Sequence, residues 1–302
     1  CSFCHYVFWN DPYRNRSPEF ILAEIKDRME QYNVNYIHFW DDLSFASAIQ
    51  AEKFCNAVIK SGLKFKWMAT IRVDLFSRAR LSSEDALRVA TKMKECGCYG
   101  AGFALESGNK EILEMMNKKI DVDDFYKTVY TLKKVGIIAQ TSIVFGYPQE
   151  TKETIKETFD QCFKAGLYPS IGFLLPLPYT VMYDYAKANG FITDEDAYLE
   201  SITERQDICV NMTKMSNEEI MNEIEVGAER LNKLLKIGLK KGSYIKTKGY
   251  NSQKVNKRLE VPQEQNISSL GNKSTDNPKK MKRNRNDVSF NYSKTDFKFE
   301  DN

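Results

Sequence analysis

Short apolar runs alternate with amphipathic stretches through the first 180 residues of the chain. The apolar runs have the length of buried strands, and the stretches between them repeat apolar residues at helical spacing. Several helical stretches begin at a capping residue such as Ser17 and end at a glycine such as Gly62. The predicted strands are 36–40, 65–72, 100–105, 137–145 and 170–175. The predicted helices around them are 17–31, 46–61, 82–97, 122–135 and 151–165.

Strands that alternate with helices predict a parallel sheet of the α/β class. We expect a partial (β/α)6 TIM-like barrel, of which five strands lie in this chain and a first strand precedes Cys1. The expected domains are a core over 1–180, a helical extension over 181–246 with a helix at 217–239, and a disordered basic tail over 247–302. In such a sheet, the chemistry lies on the loops at the carboxyl ends of the strands.

Composition and charge narrow the classes of function. The 302 residues can bury a full core, and no apolar run approaches the roughly 20 residues that a membrane span needs. The whole chain has a net charge of +3, and the tail carries twelve Lys and Arg against seven Asp and Glu. The remaining residues, 1–246, are therefore slightly acidic. We therefore expect no nucleic-acid binding by the core, and we interpret the Lys279–Arg285 cluster as part of a solvated tail.

Seven cysteines are spread along the chain without a regular framework. Single cysteines within apolar stretches are typical of a reducing compartment, where free thiols pack as small hydrophobic groups. We therefore expect a cytoplasmic protein.

The exception is the segment CSFC at 1–4, in which two cysteines are spaced by two residues and followed by His5. This spacing matches the attachment site of a c-type haem, but the long α/β pattern disfavours that class of protein. A zinc site needs a second ligand pair, for which Cys96 and Cys98 are available, but their position before an apolar strand indicates core packing. An iron–sulfur site is the third interpretation.

Polar or turn-forming residues stand at or just after the ends of four of the predicted strands. Because the carboxyl ends of parallel strands meet at one edge of a sheet, we expect these residues to share a site with the cysteine pair. Each also has a structural interpretation, since carboxylates cap helices, arginines form surface ion pairs, and glycine and proline shape turns. The residues are Asp41 and Asp42, then Arg72, then Glu106 and Ser107, and finally Gly146 and Pro148.

With these residues in this order, the chain resembles the radical S-adenosylmethionine (radical SAM) superfamily from Cys1 to about Thr180. Cys1 and Cys4 match the second and third cysteines of the family motif CxxxCxxC, and Phe3 matches its usual aromatic residue. The first cysteine of that motif is expected before Cys1. We therefore expect the chain to be N-terminally truncated and inactive by itself.

The resemblance implies a [4Fe-4S] cluster held by three thiolates, with one open iron that binds S-adenosylmethionine. In the family, the reduced cluster cleaves S-adenosylmethionine to a 5′-deoxyadenosyl radical, which abstracts a hydrogen atom from the substrate. Here the resemblance assigns the metal to Cys1 and Cys4. It assigns S-adenosylmethionine binding to Phe3, Asp41, Asp42, Arg72, Glu106, Ser107, Gly146 and Pro148.

Individual roles also follow from the resemblance. A carboxylate at 41–42 accepts hydrogen bonds from the methionyl ammonium, and Arg72 pairs with the ligand carboxylate. Glu106 accepts hydrogen bonds from the ribose hydroxyls. The segment 145–151 resembles a Gly-x-Pro-Gly-Glu-Thr motif beside the adenine, in which Gln149 replaces the usual second glycine.

The Asp-Asp form at 41–42, together with Arg72 and the Glu-Ser-Gly at 106–108, resembles members that carry an upstream cobalamin-binding domain. Those members include methyltransferases and ring-forming enzymes, so cobalamin bound by a preceding domain is a further implied cofactor. We expect a small-molecule or lipid-like substrate and an electron donor such as flavodoxin or ferredoxin. Two alternatives stay open: a methylthiotransferase-like enzyme, and a non-catalytic binding module on the same fold.

Overall fold

Five parallel strands form the central sheet of the computed structural model, which describes residues 1–4, 13–78, 81–202 and 207–245. The strands lie side by side in their order along the chain, and the sheet is curled into a half-barrel. The predicted partial α/β barrel is therefore confirmed. The strands are β1 Tyr36–His38, β2 Lys66–Thr70, β3 Cys98–Glu106, β4 Ile138–Phe145 and β5 Ser170–Phe173.

All the predicted helices are present, and within the described residues three short helices add to them, Lys110–Met115, Val181–Ala188 and Glu195–Ser201. Helices of fewer than nine residues carry too little periodicity to be recognised in a sequence. The last helix ends before its predicted limit because Lys236 adopts a left-handed conformation. The helices are α1 Pro18–Tyr32, α2 Ala48–Ser61, α3 Ser83–Glu95, α4 Lys110–Met115, α5 Val122–Lys134, α6 Lys152–Ala165, α7 Val181–Ala188, α8 Glu195–Ser201 and α9 Asn217–Leu235.

β1 is shorter than its prediction of 36–40, because the chain leaves the ladder after His38. Pairing with the segment after β2 resumes at an isolated parallel bridge between Phe45 and Ile71. The loop between these two points contains Asp41 and Asp42, whose side chains are exposed.

The ladder between β3 and β4 shifts its register between Ala104 and Glu106. At the shift, Glu106 has a φ of 65°, a conformation that is rare for a residue with a long side chain. The irregularity coincides with the end of β3, where a buried carboxylate replaces the apolar residues of the strand.

Two apolar clusters hold the half-barrel together. The larger one lies between the sheet and the helices that cover it, with Trp67 fully buried inside it. The smaller one joins the ends of β4 and β5 to α4 and α7, and Phe3 packs against it. The short helices that the sequence did not reveal therefore build the surface on which the cysteine segment lies.

Within the described ranges, no helix has both the length and the apolar content that a bilayer crossing requires. His5 and the predicted tail at 247–302 lie outside the described residues. The predicted domain limits stay predictions.

Candidate active site

Residues 1–4 form a turn, here called the cysteine turn, in which the Cys4 N–H donates to the Cys1 carbonyl at 3.4 Å. Both cysteines are free thiols and both are partly exposed. The turn therefore presents two potential thiolate ligands at the surface of the smaller apolar cluster.

Ser2 anchors the cysteine turn to segments that follow β3 and β5. Its N–H donates to the Met116 carbonyl at 2.8 Å, and its carbonyl accepts from the Met182 N–H at 3.1 Å. Its hydroxyl donates to the Met115 carbonyl at 3.1 Å. Because Met115 and Met116 end α4 and Met182 begins α7, the turn is tied to both short helices.

Tyr147, two residues after β4, provides the third attachment. Its hydroxyl lies 3.2 Å from the Ser2 hydroxyl, and its ring meets the Phe3 ring edge to face at 6.1 Å between centroids. Since the single Ser2 hydroxyl proton is donated to Met115, the Tyr147 hydroxyl is the donor to Ser2. Burial raises the pKa of Tyr147, so this donor is protonated at neutral pH.

Glu106 ends β3 as a buried carboxylate, and its negative charge helps to raise the pKa of Tyr147. Its partner is Lys118, whose ammonium lies 2.9 Å from the Glu106 Oε1 atom. Both side chains are largely shielded from solvent, at 9% and 18% exposed. Asn117 and Lys119, on either side of Lys118, have positive φ angles, so an irregular turn presents the lysine to the carboxylate.

Ser107 has a packing role in this structure. Its hydroxyl lies 3.2 Å from the Thr158 hydroxyl on α6 and accepts from the Asn109 N–H at 3.1 Å. The neighbouring Gly108 is so close to α6 that a Cβ atom there would lie 2.7 Å from the Thr158 Cα. This Glu-Ser-Gly segment therefore fixes the start of α4 against α6.

The turn after β4 is closed by Glu150. The Gly146 N–H donates to the Glu150 Oε2 atom at 3.4 Å, and the Thr154 hydroxyl donates to Oε1. Burial raises the pKa of Glu150 to about 7, although these hydrogen bonds act in the opposite direction. Gly146 has a φ of 106°, which favours glycine, and Pro148 follows it on the rim of the half-barrel.

Gln149 lies in the same turn and is partly buried. Among the described residues, its Oε1 atom is buried without a hydrogen-bond partner. A buried acceptor of this kind is costly unless something donates to it, so this turn fits a ligand that brings a hydrogen-bond donor.

Arg72, after β2, is engaged by a neighbouring carboxylate. Its Nε and Nη2 atoms donate to the two oxygens of Asp74 at 2.7 and 2.9 Å. These bonds raise the pKa of Arg72, and Asp124 adds a smaller contribution. A ligand carboxylate at this position would have to share or replace Asp74.

The structure thus distributes the predicted residues over two regions. Phe3, Glu106 and Gly146 lie where the ends of β3, β4 and β5 meet the cysteine turn. Asp41 and Asp42 follow β1, at the opposite edge of the sheet from β5, and Arg72 follows β2.

Sequence reasoning missed Ser2, Tyr147, Lys118 and the burial of Glu150. Tyr147 and Glu150 lie in the motif recognised at 145–151, so an aromatic and an acidic residue in that tight turn could have been identified as candidate site residues. Lys118 gave no such signal, because it is one of two adjacent lysines in a polar stretch.

The described residues contain no cluster of three His, Cys, Asp or Glu side chains that could hold a metal ion. Cys1 and Cys4 therefore offer two of the three thiolates that a site-differentiated [4Fe-4S] cluster needs, and the third stays a prediction. The zinc interpretation of Cys96 and Cys98 loses support, since both residues are buried in the core.

A comparison with protein families matches residues 1–162 to the radical SAM superfamily. An uncharacterized methyltransferase of Pyrococcus horikoshii is 29% identical over 194 residues, which cover 64% of this chain and 40% of the relative. A tRNA-2-methylthio-N(6)-dimethylallyladenosine synthase of Clostridium novyi is 30% identical over 165 residues, covering 52% and 35%. The chain therefore spans less than half the length of these two curated relatives.

Among solved structures, the cobalamin-dependent S-adenosylmethionine radical enzyme OxsB matches with 16% identity and a TM-score of 0.48. The match covers 66% of this chain and 28% of that one.

Proposed function

Since this chain belongs to the radical SAM superfamily, we propose that its strand ends form a site for a [4Fe-4S] cluster and S-adenosylmethionine. The observation that carries the proposal is the attachment of the cysteine turn, through Ser2, to the ends of α4, β4 and α7. This attachment ties the segment that contains both cysteines to Tyr147, which lies in the same turn as the buried acceptor of Gln149. When bound and reduced, the cluster supplies the electron that splits S-adenosylmethionine into methionine and a 5′-deoxyadenosyl radical.

On the β3–β5 side, the chain's own residues are suited to bind the nucleoside part of the ligand. Glu106 accepts hydrogen bonds from ribose hydroxyls, and Lys118 orients its carboxylate. The backbone of Gly146 and Pro148 and the ring of Phe3 border the adenine. Ser107 contributes by fixing the segment that follows Glu106.

On the β1–β2 side, the exposed carboxylates at 41–42 are suited to the methionyl ammonium. Arg72 pairs with the methionyl carboxylate once Asp74 shares its guanidinium. Arginine suits this role because its planar fork can hold two carboxylates through different N–H groups.

The overall reaction is hydrogen abstraction, methyl transfer or rearrangement on a small-molecule or lipid-like substrate in the cytoplasm. The methyltransferase name of the relative from Pyrococcus horikoshii supports methyl transfer. Methyl transfer of this type calls for cobalamin, which a domain outside 1–302 would hold. Flavodoxin or ferredoxin reduces the cluster.

A methylthiotransferase is the second candidate, and the 30% identity to the tRNA-modifying relative favours it. The two reactions differ in the atoms that reach the product. With S-adenosylmethionine labelled at its methyl group, a methyltransferase transfers carbon alone, whereas a methylthiotransferase also adds sulfur to the substrate.

The test is anaerobic reconstitution, with iron and sulfide, of the protein expressed from its natural gene start. We expect the electron paramagnetic resonance (EPR) spectrum of a reduced [4Fe-4S] cluster, and 5′-deoxyadenosine after reduction with S-adenosylmethionine. A fully loaded cluster that never releases 5′-deoxyadenosine contradicts the proposed chemistry and favours the non-catalytic binding module.

A further inference from the structure

Among the described residues, Tyr147 is the one whose side-chain hydroxyl reaches the cysteine turn from the end of β4, where it bonds Ser2. We propose that Tyr147 is a positioning residue for the iron–sulfur cluster, because its hydroxyl, acting through Ser2, fixes the orientation of Cys1 and Cys4. This inference rests on the proposed function, since it concerns the ligands of the same cluster.

The Tyr147 side chain is rigidly held. It is fully buried in the smaller apolar cluster, and its carbonyl accepts from the Glu150 N–H at 2.8 Å. Glu150 in turn receives the Gly146 N–H, so the backbone on both sides of Tyr147 is fixed. A rigid donor defines where the acceptor must lie, and that acceptor is the Ser2 hydroxyl.

Ser2 transmits this constraint to both cysteines because it lies between them in a four-residue turn. Its N–H and carbonyl are already bonded to α4 and α7, so its backbone position is determined. The hydroxyl bond to Tyr147 adds a third direction, which opposes rotation of the turn about the axis defined by the two backbone bonds. Without that bond, Ser2 keeps its two backbone bonds and the hydroxyl bond to Met115, but these lead only to α4 and α7, so the turn can rotate relative to the end of β4.

The contact between Phe3 and Tyr147 separates two effects of the side chain. The rings meet edge to face, and this contact survives when the hydroxyl alone is removed. A Tyr147→Phe variant therefore keeps the packing of the smaller cluster and loses only the bond to Ser2.

The orientation of cluster ligands has a measurable consequence. Hydrogen bonding and solvent exposure around the ligand sulfurs set the electronic properties of iron–sulfur clusters. A turn that rotates admits water to the sulfurs, so the spectrum of the reduced cluster should change even where the cluster still assembles.

The experiment compares Tyr147→Phe and Ser2→Ala with Tyr168→Phe. Tyr168 is a matched control because, like Tyr147, it is a buried tyrosine whose hydroxyl donates one hydrogen bond within the protein. Its acceptor is the Tyr244 carbonyl, at 2.8 Å. Tyr168 belongs to the larger apolar cluster. Ser2→Ala guards against misfolding of a core variant, since Ser2 is partly exposed.

In the apo protein, we expect iodoacetamide to modify Cys1 and Cys4 about fivefold faster in Tyr147→Phe, as read by mass spectrometry. This factor corresponds to a net hydrogen bond of about 1 kcal/mol. Ser2→Ala should show an increase at least as large, because it also loses the bond to the Met115 carbonyl. In the reconstituted protein, we expect altered EPR g-values in both variants. Tyr168→Phe should match the wild type in both measurements. The double variant should exceed Ser2→Ala by little, because Ser2→Ala already removes the bond that Tyr147→Phe removes.

The inference would be overturned if Tyr147→Phe and Tyr168→Phe had the same iodoacetamide labelling rates and the same EPR spectra. A wild-type protein that assembles no cluster would instead contradict the proposed function. A wild-type cluster with unaltered spectra in both site variants contradicts the positioning role of Tyr147 alone.

Discussion

The two sides of the half-barrel hold their candidate residues in different ways. On the β3–β5 side, Ser2, Tyr147 and Glu106 are linked or buried by contacts within the protein. On the β1–β2 side, Asp41 is exposed, and Arg72 is paired with Asp74. One side is therefore organised before a ligand arrives, whereas the other has to exchange solvent or an ion pair for ligand contacts. Preorganised groups bind without a large ordering cost, so we expect the β3–β5 side to dominate cofactor binding.

Removal of a cysteine ligand has the largest expected effect. Serine is a poor ligand for iron compared with a thiolate, so Cys4→Ser should lose the cluster and all formation of 5′-deoxyadenosine. Iron analysis and chromatography of the products measure both. Cys209→Ser is the control, because Cys209 is another partly exposed cysteine outside any disulfide, and its variant should keep both properties. A Cys4→Ser protein with wild-type iron content would remove Cys4 from the ligand set.

The charged residues of the two sides provide a direct comparison. Glu106→Gln leaves the shielded Lys118 without its counter-charge, and we expect the free energy of unfolding to fall by about 4 kcal/mol. Asp41→Asn changes an exposed carboxylate and should alter the free energy of unfolding by about 0.5 kcal/mol or less. Urea unfolding of both variants measures the difference. Equal losses would mean that the two sides are equally organised.

The buried Glu150 makes the organised side sensitive to pH. In the unfolded chain its carboxyl ionises near 4.5, and in the folded protein its pKa is about 7, so the folded state binds more protons between these values. Its contribution to stability is therefore full below about pH 4.5 and is lost as the pH rises through 7, by about 3 kcal/mol in total. Urea unfolding from pH 5 to pH 8 should show this decline for the wild type relative to Glu150→Gln. Parallel curves would show that Glu150 has no raised pKa.

The close packing of the Glu-Ser-Gly segment has a smaller effect. At Gly108, a Cβ atom would lie 2.7 Å from the Thr158 Cα, so we expect Gly108→Ala to lower the free energy of unfolding by about 2 kcal/mol. At Gly102, within β3, the nearest atom is the end of the Met68 side chain at 3.9 Å. Gly102→Ala should therefore be tolerated in the same thermal or urea measurement. A neutral Gly108→Ala would indicate that α4 and α6 can move apart.

Much of the fold follows from the sequence because parallel strands and their connecting helices leave strong local patterns. The apolar run at 137–145 and the capping glycine Gly166 each specify an element without tertiary information. The contacts of the site do not follow in the same way. The pairing of Glu106 with Lys118 depends on the positive φ angles of Asn117 and Lys119, and the bond between Tyr147 and Ser2 joins residues 145 positions apart. Neither contact leaves a periodic signal, since both depend on three-dimensional packing.

Because the seven thiols differ in exposure, their reactivity can report how much of the protein has bound iron. Cys55, Cys96, Cys98 and Cys162 are buried, whereas Cys1, Cys4 and Cys209 are partly exposed. A native-state titration with a thiol reagent should consequently count three fast groups in the empty protein and one in a protein whose cysteine turn is fully loaded. Iron incorporation can then be followed as a stoichiometric change in labelling, in parallel with any optical or magnetic signal.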